Sequence, residues 1–158
     1  MRVFKERQAF RQWWLLLILS SSFIAIGLAF VNNLTNLETG KWKILSLIPV
    51  TILMVLFWNT RLHTKIGPSG IETRFEPFGI FKRSFSWNDI SRCYIRQYAP
   101  LREYGGWGIR GLNKAKAYNV SGNMGIQIIT KDNERFLIGT NKPAEAEKAI
   151  QRYHKKTA

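Results

Sequence analysis

Arginines and aromatic residues interleave between positions 96 and 116: Arg96, Tyr98, Arg102, Tyr104, Trp107 and Arg110, followed by Lys114 and Lys116. A guanidinium offers several donors in a rigid fork, and a Tyr or Trp ring supplies stiff contact area with one polar atom. Exposed together, such side chains suit anionic lipid headgroups, a protein partner or a second copy of the chain. The competing reading makes Tyr104 and Trp107 core residues, with the bases merely solvated. The same stretch contains Gly106-x-Gly108-x-x-Gly111, which has dinucleotide-fingerprint spacing. That fingerprint needs a strand before it and a helix after it, so that the pyrophosphate meets a helix N-terminus. The residues that follow, from Leu112 to Gly122, carry no helical stripe, and a glycine-rich hairpin or bulge is expected instead.

No other set of residues has the spacing of a reaction centre. His63 and His154 lie far apart with no acid placed to share a site. Asp89 is expected at a turn or cap, and the single cysteine, Cys93, excludes an intramolecular disulfide. With no nucleophile–base pair and no metal-ligand cluster in the pattern, no catalytic, cofactor or metal residue is assigned, and the chain is read as non-enzymatic.

The elements that must position these side chains fall into two compositionally different parts. Residues 12–37 hold 26 uncharged positions and residues 44–60 hold 17, separated by a short segment with Glu38, Gly40, Lys41 and Lys43. A transmembrane helix needs about 20 mostly apolar residues, so a two-helix transmembrane hairpin is expected over 12–60. Trp13, Trp14, Trp42 and Trp58 mark its ends as membrane-interface anchors. A basic arm, 1–11, precedes it. The first run is too long for a signal-peptide core, and Asn32-Asn33-Leu34-Thr35 lacks a small-residue cleavage site. Flanking Lys and Arg place the arm and the C-terminal part in the cytosol, on an integral protein of the inner membrane. Small residues Ser21, Ala25 and Ala29 suit packing against the second helix, in which Pro49 is a candidate kink. Neither run contains an ionisable residue, which argues against transport.

Residues 61–158 carry 18 of the 24 Lys and Arg but 8 of the 10 Asp and Glu. A domain this basic seeks anionic partners. Short β-rich runs broken by Gly, Asn, Asp and Pro predict about seven or eight strands. These are 63–66, 71–76, 78–85, 92–98, 106–110, 115–120, 124–130 and 135–138, with a helical corner at Trp87–Ile90. A C-terminal helix follows, opened by Thr140 or Asn141 with Pro143 in its first turn. Its apolar stripe is Ala146, Ala149, Ile150 and Tyr153.

Many strands closed by one helix is the pleckstrin-homology order. The chain resembles bacterial membrane proteins with a PH-like domain, on three stretches: Ser86-Trp87-Asn88-Asp89-Ile90; Glu103-Tyr104-Gly105-Gly106-Trp107-Gly108-Ile109-Arg110 with Ala117-Tyr118-Asn119-Val120-Ser121-Gly122-Asn123; and Leu137-Ile138-Gly139-Thr140-Asn141-Lys142-Pro143. The resemblance implies an α+β chain: a two-helix transmembrane hairpin, then a PH-like β-sandwich or barrel of about seven strands with a C-terminal helix. It supplies no reaction, cofactor or binding residue. The basic pattern by which eukaryotic PH domains hold phosphoinositides is broken here, because Glu72 stands between Lys65 and Arg74.

The function expected is a membrane-anchored binding or assembly module. Its partners are membrane lipids with anionic headgroups, a protein, or further copies of itself. The absence of a nucleic-acid motif argues against nucleic acid. The alternatives are a membrane enzyme with an unrecognised site, and a small oligomeric channel formed by the hairpins.

Overall fold

Apolar and polar side chains alternate along the first three strands, and this alternation builds one sheet. The structure, a computed structural model, describes residues 3–10, 13–31, 37–77, 79, 81–112 and 115–154, with side chains for all of these except 13–16, 30, 37–44, 46, 47 and 112. Strands β1 (Phe4–Ala9), β2 (Arg61–Gly67), β3 (Gly70–Glu76) and β4 (Lys82–Phe85) form an antiparallel sheet in that order. Phe4, Leu62, Ile66, Ile71 and Phe75 point inward, while Lys5, Arg7, His63, Lys65, Glu72 and Arg74 point outward, as a period of two requires. Gly67 and Gly70 face each other across the β2–β3 turn. Gly70 has φ +136°, and a Cβ there would meet the Phe85 carbonyl oxygen at 2.0 Å, so only glycine fits.

The second sheet contains β5 (Ile90–Gln97), β6 (Gly108–Leu112), β7 (Ala115–Asn119), β8 (Met124–Thr130) and β9 (Arg135–Gly139), in the order β5-β8-β9-β7-β6. β9 lies between β7 and β8, antiparallel to β8 and parallel to β7. Its inner face meets the first sheet through aromatic contacts. The Tyr118 ring lies 5.4 Å from Phe75 and 4.9 Å from Phe136, and Phe85 packs on Phe136 at 5.0 Å. Ile126, Ile128, Leu137 and Ile138 are fully buried beside them. Burying each such side chain is worth about 1.5–3 kcal/mol.

Helix α4 (Pro143–His154, numbered after α1 to α3 described below) buries Ala146, Ala149, Ile150 and Tyr153 and packs on β5, β2, β8 and β1. A 3₁₀ turn at Trp87–Asp89 buries the Trp87 indole, whose Nε1 donates to the Gly67 carbonyl at 2.8 Å and whose ring meets His154. The start of α4 is tied to the other end of the chain. Glu6 on β1 is 7% exposed, and its carboxylate accepts from the Thr140 hydroxyl (2.6 Å) and the Asn141 N–H (2.8 Å). Gln8 Nε2 donates to the Gly139 carbonyl at 2.7 Å. Residues 4–9, expected as part of a basic arm, therefore complete the domain; Met1–Ala9 and Arg61–Ala158 form one compact unit.

Phe10–Thr60 form the other unit, in which α1 (Trp13–Val31) and α2 (Leu37–Asn59) touch each other. Here the fold-class expectation is corrected. Among the described residues no helix is long and apolar enough to cross a membrane. α2 begins at Leu37, so Glu38, Lys41 and Lys43, expected in a loop, fall in its first turns. Its uncharged part starts at Ile44 and, at 1.5 Å per residue, extends only about 24 Å against a hydrocarbon core of about 30 Å. The transmembrane hairpin, the multi-pass membrane assignment and the integral inner-membrane localisation are not what this structure supports. Ser21, Ala25 and Ala29 are exposed rather than buried between helices, and Pro49 lies inside α2. Trp58 is 65% exposed; the side chains of Trp13, Trp14 and Trp42 lie outside the described residues.

The expected series of about seven antiparallel strands is corrected too. Nine strands are described, in sheets of four and five, with a parallel pair in the larger.

Removing the Glu6 carboxylate leaves a buried hydroxyl and a partly buried N–H without their acceptor. Glu6→Ala is expected to lower the unfolding free energy in urea by about 2–4 kcal/mol, with Glu6→Gln losing less. A loss for Glu6→Ala below about 0.5 kcal/mol, the usual range for a surface change, would show that the link is not structural.

Candidate basic cleft

The interleaved segment separates into a structural half and an exposed half. After β5 the chain turns into a short helix, α3 (Pro100–Tyr104), opened by Pro100 and closed by Gly105 in the left-handed region at φ +70°. Glu103 holds both ends of this turn. One oxygen accepts from the Ala99 N–H at 2.8 Å, and the other accepts from Arg96 Nη2 at 2.7 Å. Arg96 also donates through Nε to Gln127 Oε1 (2.9 Å) and through Nη2 to the Tyr104 hydroxyl (3.3 Å). The hydrogen bond that Arg96 donates to Glu103 pushes the Arg96 pKa up, and the same bond holds the Glu103 carboxyl below its ordinary range. Tyr98 is 4% exposed and packs with Tyr104, Ala117 and Leu137. Burial raises the pKa of both tyrosines. Arg96, Tyr98 and Tyr104, three of the residues singled out in the sequence, are thus engaged in fixing α3 against the sheet.

Arg102 is exposed on α3. Trp107 is half-buried, with its Nε1 donating to the Gly122 carbonyl at 3.2 Å. Arg110 Nε donates in turn to the Trp107 carbonyl at 2.9 Å, and Asn119 Oδ1 accepts from the Gly108 N–H at 2.8 Å. Gly111 has φ +91°, and a Cβ there would lie 2.0 Å from the Ala115 carbonyl oxygen. The glycines therefore serve a hairpin whose strands approach closely. A strand, β7, follows them, and no helix N-terminus is present to receive a pyrophosphate.

This hairpin brings Ile109 and Lys116 to the face of the larger sheet that Tyr118 shares, near the edge of the smaller one, while Arg110 pairs with Ala117. A cleft of about 440 Å³ opens there, lined by Phe81, Lys82 and Arg83 before and on β4, by Ile109, Arg110 and Gly111 on β6, and by Lys116 and Tyr118 on β7. Four of its side chains are cationic and none of the described lining residues is acidic. Lys82 is 3.0 Å from Glu72 on the outer face, and Arg110 keeps the contact to Trp107 described above. Arg83 and Lys116 have no carboxylate partner among the described residues. The floor is apolar: Tyr118 is held by Phe75 and Phe136, and Ile109 is 41% exposed at the rim. Lys82 and Arg83 were missed in the sequence because they lie on another sheet. Their only local signal is a Phe81-Lys82-Arg83 run of the same aromatic–basic type. Lys114 lies outside the described residues.

Among the described residues no three His, Cys, Asp or Glu side chains gather in a way that would hold a metal. The Cys93 thiol is pushed up to about 12 by burial, with no cation beside it to favour a thiolate. Comparison with family models, curated proteins and solved structures gives no match to this chain, so none identifies a pleckstrin-homology domain.

A thiol whose pKa is held near 12 is almost wholly protonated at neutral pH. At pH 8, iodoacetamide is expected to alkylate Cys93 at least tenfold more slowly in the folded chain than in urea. Equal rates would show that the thiol is exposed.

Proposed function

We propose that the domain is a non-enzymatic binding module whose basic cleft takes a phosphate-bearing headgroup of an anionic lipid. The observation that carries this reading is the pair Arg83 and Lys116, which have no carboxylate partner among the described residues and line a cleft with an apolar floor. Two positive charges without a carboxylate partner in one open cleft repel one another, and an anion placed between them relieves that repulsion. Guanidinium groups match phosphate oxygens with paired donors, and lysines add charge that adapts to geometry. Phe81, Ile109 and Tyr118 give the uncharged part of such a headgroup a surface to lie against.

The test uses the full chain, because β1 belongs to the domain. Flotation with vesicles containing a phosphorylated anionic lipid is expected to recover the protein at low salt and to fall as NaCl rises, since the Debye length shrinks from about 30 Å at 0.01 M to about 8 Å at 0.15 M. Arg83→Ala with Lys116→Ala is expected to weaken recovery at least tenfold, while Arg102→Ala changes it little. Equal flotation with neutral vesicles, or no loss in the double variant, would overturn the reading. Competition by a soluble inositol phosphate separates headgroup capture from attraction to charged vesicles in general.

A further inference from the structure

The outer face of the smaller sheet carries a second arrangement, which shares only Lys82 with the lining of the cleft. Strand register sets Lys5 directly opposite Lys65, and Arg7 opposite His63, which in turn faces Arg74 and then Lys82. Like charges directly opposite across antiparallel strands are destabilising. Opposite charges can be placed there as easily, and the face does so only in part. Glu76 Oε2 lies 2.9 Å from His63 Nε2 and 3.8 Å from Arg7, and Glu76 Oε1 lies 2.9 Å from Arg74. One carboxylate thus serves three basic side chains. Glu72, the register partner of Lys65, is instead 3.0 Å from Lys82. Lys5 and Lys65 are left exposed with no carboxylate partner among the described residues. Beside them the surface is hollowed by about 390 Å³, lined by Lys5, His63, Lys65 and Arg74 with Glu6, Thr64 and Glu72.

We infer that this hollow binds a small, multiply charged oxyanion, held by Lys5, Lys65 and Arg74, with Glu76 as the internal counter-ion that it displaces. The face carries no Phe, Tyr or Trp among Lys5, Arg7, His63, Lys65, Glu72, Arg74 and Lys82, so it lacks the large rings on which single-stranded bases usually stack. Charge complementarity and the size of the hollow favour a compact anion over a polymer. The site is separate from the cleft at β4, β6 and β7 and does not depend on the function proposed for it.

His63 makes the binding pH-dependent. Burial pulls its pKa below the ordinary 6.5, against the opposing pull of Glu76; Arg7 and Arg74 reinforce the lowering. Arg61 and Lys65 are its outward neighbours on its own strand, and Lys5 and Lys82 stand further along the two rows. A bound anion favours the protonated ring, so affinity rises as pH falls through the range below 6.5.

Calorimetric titration of the full chain with inositol hexasulfate tests this, because the charge of that probe is constant between pH 5 and 8. Affinity is expected to rise at least threefold from pH 7.5 to 5.5. His63→Gln should abolish that rise, Lys5→Ala with Lys65→Ala should weaken binding at least tenfold at both pH values, and Glu76→Gln should tighten it. These titrations are made in an Arg83→Ala/Lys116→Ala chain, in which the cleft no longer competes for the probe, so that failure here is separate from failure of the cleft. Full binding by the Lys5/Lys65 variant, or weaker binding by Glu76→Gln with its melting temperature intact, would overturn the assignment. So would measurable affinity for a duplex oligonucleotide with none for the small sulfate.

Discussion

Glu6 accepts one hydrogen bond from Thr140 and another from Asn141, more than 130 positions away, at the point where the last strand turns into the last helix. A buried carboxylate is costly unless its oxygens are satisfied, and here both are. The pairing therefore does more than add stability: it fixes which strand can occupy the edge beside β2. Gln8 donates to Gly139 on the same inward row, so two polar side chains of β1 recognise one stretch of backbone. The entry of α4, and with it the burial of Ala146, Ala149, Ile150 and Tyr153, follows from that recognition. A chain beginning at residue 61 would expose the β2 edge and orphan the donors at 140 and 141.

With β1 closing one edge of the smaller sheet, β4 is left as its other edge, and β6 ends the larger sheet. The cleft opens between these two edges. Its charge is tolerated because the groups around it are solvated, while its floor is tied into the core through Tyr118. The rigidity needed for recognition comes from behind. Glu103 pins Arg96, Asn119 holds the Gly108 N–H, and Gly111 lets β6 and β7 approach. The residues that look most like ligands in sequence are thus partly the frame for those that face solvent.

Local periodicity was readable where the burial pattern matched it. The α4 stripe, the limits of β8 and the turn at Trp87 all follow from the spacing of apolar, turn and cap residues within each segment. β1 was not readable, because two of its inward positions are Glu6 and Gln8, polar residues whose partners lie at the far end of the chain. Tyr98 and Arg96 were legible as a pair but not as core and bracket, since Gln127 and Leu137, which bury or bind them, come from β8 and β9. Lys82 and Arg83 joined the site only through packing of one sheet on the other. The start of α2 illustrates a different limit. Glu38, Lys41 and Lys43 look like a polar loop between apolar runs, yet a helix tolerates them in its first turns.

Hydrogen exchange on the full chain, with and without vesicles carrying a phosphorylated anionic lipid, tests most directly whether the cleft between the two sheet edges is where this protein meets its partner. Slowed exchange confined to β4, β6 and β7, with α3 and β5 unchanged, is the result expected. Protection centred on α3, or no protection at β6 and β7 under conditions where the protein is bound, would contradict it.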